Sequence, residues 1–376
     1  MGCSTLLGPG APSGAPSATA RPPLQRPVDH VILVVLDGVR PNELLAGVDP
    51  DLGREAGVPE RPAAELVPHL TALVERGVLI GTPEGAPFVA SGPNYVSLPG
   101  YTELLSGRTA TCQENDCAGP PPARTIIDRV CDASGPERCR AALFSSWQSL
   151  ERISAVDRGR AVVSAGRTGG EQHERLAEDP LTEALYLRGR AASPEPGWGS
   201  YRPDRDTAAL ALAYLGANRP RFTFVSLGDT DELAHAGDYA GYLGALERAD
   251  AFIGAVDDLA RTWTQEGAPT VVIVTTDHGR ADNFRDHGRE HPESARGWLA
   301  AAGPNIRRAG ALALAETRRG RDVAATIAHL LGVPPEIDAR SGQAIDEIID
   351  ADGYVIAPVR RARDRRAHVV SGGRRL

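Results

Sequence analysis

Short apolar runs alternate with longer amphipathic stretches along the chain. Four predominantly apolar runs are too short for helices and are typical of buried strands; they occupy residues 31–36, 141–146, 221–227 and 270–276. Apolar residues at helical spacing predict helices at residues 66–76, 207–218, 240–263 and 322–332. Shorter strand candidates lie at residues 78–80 and 298–303. The pattern is therefore one of strands interleaved with helices.

This alternation predicts an α/β fold, with a mostly parallel central sheet and helices on both faces. Such folds bind ligands beyond the carboxyl ends of their strands. Residues 155–205 are rich in Arg, Gly and Pro and predict no particular element. We expect one folded domain over residues 30–358, preceded by a Pro/Gly/Ser-rich disordered tether at 1–29 and followed by a basic tail at 359–376.

The composition narrows the range of partners. The formal net charge of −8 argues against a general binder of nucleic acids. All 41 cationic residues are arginine, which excludes Walker-type phosphate loops and Schiff-base chemistry because both need a lysine amine. We find no run of about 18 apolar residues and expect no membrane span. The basic tail is better interpreted as a solvated extension than as a nucleic-acid-binding arm.

Four of the five cysteines fall in one segment, residues 110–140, which we interpret as an insertion; they are Cys112, Cys117, Cys131 and Cys139. Neither pair has the CxxC spacing that is typical of a four-cysteine zinc site. We therefore predict two disulfides, with all three pairings open. Disulfides imply an oxidising compartment, which for this chain would be the periplasm or the cell surface.

The first residues suggest a means of attachment. Gly2-Cys3-Ser4 resembles the end of a bacterial lipoprotein signal, in which Cys3 would carry the lipid. No apolar signal stretch precedes it, and the alternative is a plain flexible tail. We expect an extracytoplasmic protein with Cys3 as a candidate lipid anchor.

Aspartate and histidine residues follow the strongest strand candidates. Asp37 comes directly after the first, a DELAH segment follows the third, and Asp277-His278 follows the fourth. Because carboxyl ends of parallel strands meet at one edge of a sheet, these residues are expected to converge. Oxygen and imidazole ligands without thiolates suit zinc and other divalent first-row metals. The candidate ligands are Asp37, Asp231, His235, Asp277, His278, His287 and His291.

A serine stands at a distinctive position in the stretch NYVSLPGYTELLSGR. Ser97 follows a β-prone pair and precedes Pro99, which is tolerated in the first turn of a helix. The serine would then lie at a helix N-terminus, where backbone N–H groups and the macrodipole favour an anion. From the residues alone it is either a helix cap or a nucleophile.

The motifs together resemble the alkaline phosphatase superfamily, which includes type I phosphodiesterases and nucleotide pyrophosphatases, sulfatases and cofactor-independent phosphoglycerate mutases. The resemblance covers residues 30–335 and implies an alkaline phosphatase-like catalytic domain. It rests on the order and spacing of five motifs: VVLDGVRP (34–41), VSLPGYTELLSGR (96–108), DELAH (231–235), TTDHG (275–279) and HG (287–288).

The resemblance implies a site for two divalent metal ions, with zinc favoured and manganese as the alternative. One metal would be held by Asp37, Ser97, Asp277 and His278, and the other by Asp231, His235 and His287. Asp231 is preferred over Asp229 because it alone gives DxxxH with His235. His291 is the alternative to His287 as the last ligand.

The implied activity is hydrolysis of a small-molecule phosphoester, either a monoester or a diester. Ser97 would be the nucleophile and would form a phospho-serine intermediate, with Asn94 as a candidate phosphate donor. A sulfatase is the first alternative, but Tyr101 stands where that branch carries an arginine. A non-catalytic metal-binding relative is the second alternative.

Overall fold

The computed structural model describes Leu24, residues 26–135 and 139–334, Asp338 and residues 340–350. The candidate anchor Cys3, the basic tail at 359–376 and most of the tether at 1–29 lie outside these residues. Among the described helices, none has both the length and the apolar sequence that a bilayer span requires.

The strands in the described part of the chain form a large sheet and a small one. Their bounds are β1 His30–Leu36, β2 Val78–Ile80, β3 Phe88–Val89, β4 Ala141–Ser145, β5 Val162–Ala165, β6 Gly169–Glu171, β7 Phe222–Leu227, β8 Thr270–Thr275, β9 Arg296–Gly297, β10 Leu299–Ala302, β11 Gly310–Ala311 and β12 Arg318–Arg319. The large sheet has nine of these strands, in the order β11-β2-β10-β8-β1-β7-β4-β5-β6, and the small one has the order β12-β3-β9.

The centre of the large sheet is parallel. Strands β8, β1, β7, β4 and β5 run in the same direction, with Val31 of β1 opposite both Phe222 and Val271. Strand β10 is antiparallel to β8, and β6 is antiparallel to β5. The prediction of a mostly parallel sheet is therefore confirmed, and three adjacent strands, β8, β1 and β7, end at the same edge.

Helices cover both faces of this sheet. Their bounds are α1 Pro41–Leu45, α2 Pro50–Ala56, α3 Ala63–Leu66, α4 Pro68–Glu75, α5 Ser97–Ser106, α6 Ile126–Ala133, α7 Pro180–Ala191, α8 Asp204–Asn218, α9 Asp229–His235, α10 Tyr239–Gln265 and α11 Arg321–Leu331. Alternate residues of β1 face opposite sides: Leu33 belongs to a core shared with α5, α6 and α11, and Val34 to a core shared with α4, α8 and α10. Both faces are buried, which explains the continuously apolar sequence of β1.

Two expectations about elements need correction. The single helix predicted at residues 66–76 is two, because Val67 leaves the helical conformation (φ −130°, ψ 62°) immediately before Pro68. A proline ring disfavours the α conformation of the residue before it, so α3 ends and α4 begins at this point. The segment 155–205, for which the pattern predicted nothing, contains β5, β6 and α7.

The cysteine-containing segment is joined by two disulfides, as predicted. The structure pairs Cys112 with Cys117 and Cys131 with Cys139. The segment is less loop-like than expected, because α6 lies within it and begins with a capping box at Thr125. The Cys112–Cys117 pair closes a short loop, CQENDC, which we call the disulfide loop.

Candidate active site

The candidate residues meet at the carboxyl edge of three neighbouring strands. Asp37 follows β1, α9 begins just after β7, and Asp277 lies just after β8. Gly38 permits this convergence, since it has a positive φ of 60° and a side chain there would overlap Asp231 and Arg280. Polar groups that are distant in sequence are therefore brought into one buried cluster.

The first group of potential ligands comprises Asp37, Asp277 and His278. Their ligand atoms all lie within 4.8 Å of one another, and all three residues are buried. The Nε2 atom of His278 is 3.4 Å from Asp37 Oδ1 and 3.5 Å from Asp277 Oδ2.

The second group comprises Asp231, His235 and His287, again with ligand atoms within 4.8 Å of one another. His235 Nε2 is 3.2 Å from Asp231 Oδ2 and 2.9 Å from His287 Nε2. The rings of His278 and His287 stack with centroids 4.0 Å apart, so the two groups are adjacent. His235 is the solvent-exposed member, which marks the open side of the cluster.

The two alternative ligands lie elsewhere. Asp229 Oδ1 accepts hydrogen bonds from the Tyr201 hydroxyl at 2.9 Å and from the backbone N–H of Asp204 at 3.1 Å. His291 Nδ1 is 3.7 Å from Glu293 on a separate turn. Neither belongs to the two groups of potential ligands found among the described residues.

Ser97 directs its side chain into the first group. It is the first residue of α5, its Oγ lies 3.3 Å from Asp37 Oδ1 and 3.3 Å from His278 Nε2, and it is buried. The N-cap of α5 is Val96, and no side chain caps the helix there. Ser97 is therefore at the helix N-terminus, as expected, but it does not act as the cap.

The N-terminus of α5 offers fewer N–H donors than the sequence suggested. The Leu98 N–H donates to Asn115 Oδ1 at 2.9 Å, Pro99 has no N–H, and the Gly100 N–H donates to Val96 O at 3.1 Å. The N–H of Ser97 itself has no hydrogen-bond partner among the described residues, and the disulfide loop supplies the partner for its neighbour.

The ring orientations fit a bound cation. The Nδ1 atoms of His278 and His287 face the carbonyl oxygens of Gly279 at 2.8 Å and Tyr95 at 2.9 Å. A proton on each Nδ1 leaves the Nε2 lone pair directed into the cluster, which is the arrangement of metal-binding histidines. Asp277 Oδ2 is buried and has no hydrogen-bond partner among the described residues, which also fits a positively charged ligand.

Burial and mutual repulsion strongly shift the pKa values of the histidines and aspartates in the cluster. Burial lowers the pKa of His278 to about 4 and that of His287 to about 3, so both rings are neutral at pH 7. Burial raises the pKa of Asp277 to about 7 and, together with repulsion from Asp277 and Asp231, holds the pKa of Asp37 well above its usual range. Neutral imidazoles beside crowded carboxyl groups suit a divalent cation, which would relieve the repulsion.

The site contains two residues that sequence reasoning did not assign to it. The Tyr101 hydroxyl donates to Asp37 Oδ2 at 2.9 Å, and the buried Arg280 guanidinium is paired with Asp231. Burial would raise the pKa of Asp231, but the charge of Arg280 outweighs this and holds it well below its usual range. Tyr101 could have been found from its helical spacing of four residues from Ser97. The only sequence feature that pointed to Arg280 was its position two residues after His278.

Asn94 lies three residues before Ser97, and its side chain is engaged by other segments. Its amide nitrogen donates to Gln113 O at 2.7 Å and to Glu114 Oε2 at 3.3 Å, and its Oδ1 accepts from the Arg289 N–H at 2.9 Å. These bonds occupy both ends of the amide and join the nucleophile segment to the disulfide loop.

Known proteins resemble this chain in one segment of the sequence and in the fold. A model of the "Metalloenzyme superfamily" matches residues 202–335. A phosphopentomutase from Methylobacterium nodulans is 28% identical over 243 residues, which are 64% of this chain and 46% of the relative, so the chain spans about half the length of that relative.

Solved structures share the fold at low sequence identity. The alkaline phosphatase PafA superimposes with a TM-score of 0.53 at 10% identity, over 86% of this chain and 99% of that one. BT1596, a 2-O glycosaminoglycan sulfatase, gives 0.54 at 13% identity, over 85% of this chain and 73% of the sulfatase. The metalloenzyme model thus matches the segment that contains α9, α10, β8 and α11, and these solved structures share an alkaline phosphatase-like fold with the chain.

Proposed function

We propose that this protein is a metal-dependent phosphoester hydrolase, a phosphomonoesterase or phosphodiesterase, with Ser97 as its nucleophile. The observation that carries the proposal is the position of Ser97 Oγ, 3.3 Å from both Asp37 Oδ1 and His278 Nε2 at a buried helix N-terminus. A serine hydroxyl is a poor nucleophile at neutral pH unless a base or a metal activates it. The two adjacent groups of potential ligands are the source of that activation.

The donor atoms suggest how metal ions would be shared. Asp37, Asp277 and His278, with Ser97, would hold one ion, and the second group would hold the other: Asp231, His235 and His287. Carboxylate and imidazole ligands favour zinc, with manganese as the alternative. Two bound divalent ions would lower the pKa of the serine hydroxyl and offset the charge of the phosphoryl oxygens.

The residues of the chain then perform two displacements. Ser97 Oγ gives up its proton to solvent and attacks phosphorus, the bond from phosphorus to the ester oxygen breaks, and the alcohol leaves after taking a proton from solvent. Water next attacks the phospho-serine, the bond to Oγ breaks, and Ser97 regains a proton. The Ser97 N–H faces a non-bridging oxygen throughout, while Tyr101 and Arg280 keep Asp37 and Asp231 in place.

Phosphate is favoured over sulfate as the transferred group. In the position where the sulfatase branch carries an arginine, this chain has Tyr101, whose hydroxyl is bonded to Asp37. The residue therefore supports a ligand and does not extend a cation toward substrate.

A phosphomutase is a second candidate, because a curated relative is a phosphopentomutase. In that case the phosphoryl group on Ser97 would return to another hydroxyl of the same sugar and would not pass to water. Ribose 5-phosphate distinguishes the two: a hydrolase releases inorganic phosphate from it, whereas a mutase isomerises it.

The cellular location is also proposed. The two disulfides favour an oxidising, extracytoplasmic compartment. Attachment through a lipid on Cys3 is a further proposal, and labelled-palmitate incorporation into full-length protein but not into Cys3→Ser tests it.

Metal restoration tests the reaction. We expect chelator-treated protein to regain hydrolysis of p-nitrophenyl phosphate or its bis ester, but not of p-nitrophenyl sulfate, when zinc or manganese is added. Ser97→Ala should lose on the order of a thousandfold in kcat or more, whereas Ser134→Ala, at the end of α6, should retain activity. Full metal-dependent turnover by Ser97→Ala would refute the nucleophile assignment. Cleavage of the sulfate alone would refute the proposal that the substrate is a phosphoester.

A further inference from the structure

A cavity of about 330 Å³ lies beside the end of β4 and is lined in part by Trp147, Trp198 and Tyr201. We call it the tryptophan pocket. It contains none of the candidate metal ligands, and the reaction proposed above makes no use of it. A volume of this size, with several aromatic side chains, is in the range of small-molecule binding sites.

The pocket is joined to both halves of the candidate active site. On one side, the Tyr201 hydroxyl donates to Asp229 Oδ1 at 2.9 Å, and Asp229 begins the helix that carries Asp231. On the other side, the lining residue Arg152 donates from Nη1 to Cys117 O at 2.8 Å. Cys117 closes the disulfide loop, whose Asn115 accepts from the N–H next to the nucleophile.

The same sheet edge accounts for this placement. Strand β4 is parallel to β7 and adjacent to it, so the residues after β4 emerge beside those after β7. Trp147 is two residues beyond β4, and α9 begins two residues beyond β7. Ligands of open α/β folds bind in such crevices at the carboxyl ends of strands.

Aromatic side chains form part of the pocket wall, beside polar residues that are already hydrogen-bonded. Trp198 is 74% exposed, yet its backbone is held because its carbonyl accepts from the Tyr201 N–H at 3.0 Å. The polar lining residues already have partners: Gln148 accepts from Ser200, Glu151 accepts from the Gly170 N–H, and Arg152 donates to Ser149. A hydroxyl-rich ligand would find few partners here, whereas a flat aromatic ring could stack.

We propose that the tryptophan pocket binds an aromatic ring carried by the alcohol portion of the phosphoester substrate. The proposal rests on the phosphoester function of the neighbouring site and specifies its substrate class. The ring remains chemically unchanged; stacking positions the ester at Ser97, and the ring departs with the leaving alcohol.

Binding measured without catalysis tests the pocket. Adenosine serves as the aromatic probe and glucose as the hydroxyl-rich one, each titrated into the full chain by calorimetry. We expect adenosine to bind and Trp198→Ala to weaken that binding about tenfold. Leu187→Ala provides the control, because Leu187 is also exposed but lies on α7 outside the pocket lining. Equal adenosine affinity in wild type and Trp198→Ala, or binding of glucose alone, would overturn the proposal.

Kinetics separate this proposal from the proposed function. For adenosine 5′-monophosphate, Trp198→Ala should raise KM about tenfold with little change in kcat, while glycerol 2-phosphate should be unaffected. If the metal-loaded wild type cleaves no phosphoester, the proposed function fails and the adenosine titration still decides the pocket. If Trp198→Ala raises KM equally for both substrates, the pocket has no preference for an aromatic ring, and the pocket proposal is wrong.

Discussion

At the scale of single residues, Asp37 is fixed by four residues from three elements, α5, α9 and β7. Its carboxylate accepts from Tyr101 at 2.9 Å and Ser97 at 3.3 Å, its carbonyl accepts from Thr230 at 2.7 Å, and its N–H donates to Leu227 O at 2.9 Å. The Tyr101 bond uses Oδ2 and leaves Oδ1 facing the serine. Tyr101 is therefore a positioning residue, because it acts through Asp37.

Tyr101→Phe removes that hydroxyl and keeps the buried ring. We expect metal affinity or kcat to fall about 10- to 100-fold, because partners that orient a metal ligand have effects of this size. The free energy of unfolding of the metal-free protein should change by only about 1 kcal/mol. Tyr186→Phe is the matched control, since that hydroxyl is bonded to His173 away from the cluster. Metal titrations and urea denaturation make the measurements; unchanged metal affinity and kcat in Tyr101→Phe would contradict the role.

At the scale of elements, the disulfide loop supports the segment that carries the nucleophile. Asn115 accepts from Leu98, and both Gln113 and Glu114 accept from Asn94. Three successive residues of the disulfide loop thus form hydrogen bonds with residues on either side of Ser97. The second disulfide joins α6 to the segment before β4, and the described residues of its loop donate or accept no such hydrogen bonds.

Breaking the two disulfides should therefore have different consequences. Replacing Cys112 and Cys117 by serine should lower kcat about tenfold and cost about 2 kcal/mol of stability through loop-closure entropy. The matched control replaces Cys131 and Cys139 by serine, which should lower stability with little effect on the kcat of the folded fraction. Equal kcat losses in both double variants would show that the disulfide loop has no specific role in positioning Ser97.

The junction of α8 and α9 is a second feature at this scale. Asp204, the first residue of α8, accepts from the N–H groups of Gly228 and Asp229 at 2.8 Å each, and from the Ser146 hydroxyl at 2.6 Å. Burial and repulsion from Asp229 raise the pKa of Asp204 from 3.8 to about 8. The junction is thereby made sensitive to pH.

The sign of the pH effect follows from this shift. Below about pH 4 the group is protonated in both states; as the pH rises toward 8, the unfolded state releases the proton first, so stability falls. We expect the free energy of unfolding of wild type, taken relative to that of Asp204→Asn, to be lower at pH 8 than at pH 5 by more than about 1.4 kcal/mol, the equivalent of one pKa unit. Asp204→Asn should flatten this dependence in urea titrations. A difference between wild type and Asp204→Asn that rises over the same interval would contradict the assignment.

At the scale of the whole molecule, the sequence predicted the buried strands, from the spacing of apolar residues, and the candidate ligands that follow those strands. Strands such as β1 and β8 are apolar on both faces, and the ligand candidates follow them directly. The elements within 155–205 were not predicted from the sequence, because β5, β6 and α7 are short or rich in charge and glycine. Arg280 escaped because burial of a charge depends on tertiary partners, here Asp231 and two carbonyls, that no local pattern reveals.

Metal binding should also stabilise the whole fold, and two histidines make this testable. His287 belongs to the second group, whereas His291, four residues on, does not. With zinc at about 100 times its Kd, binding should add about 2.7 kcal/mol to the unfolding free energy, because the ion binds only the folded state. We expect His291→Ala to retain the full zinc-dependent rise in Tm and His287→Ala to lose the part that the second group contributes, as measured by scanning calorimetry with and without chelator. An identical zinc response in the two variants would mean that His287 is not a ligand, and a response lost only in His291→Ala would transfer the role to that residue.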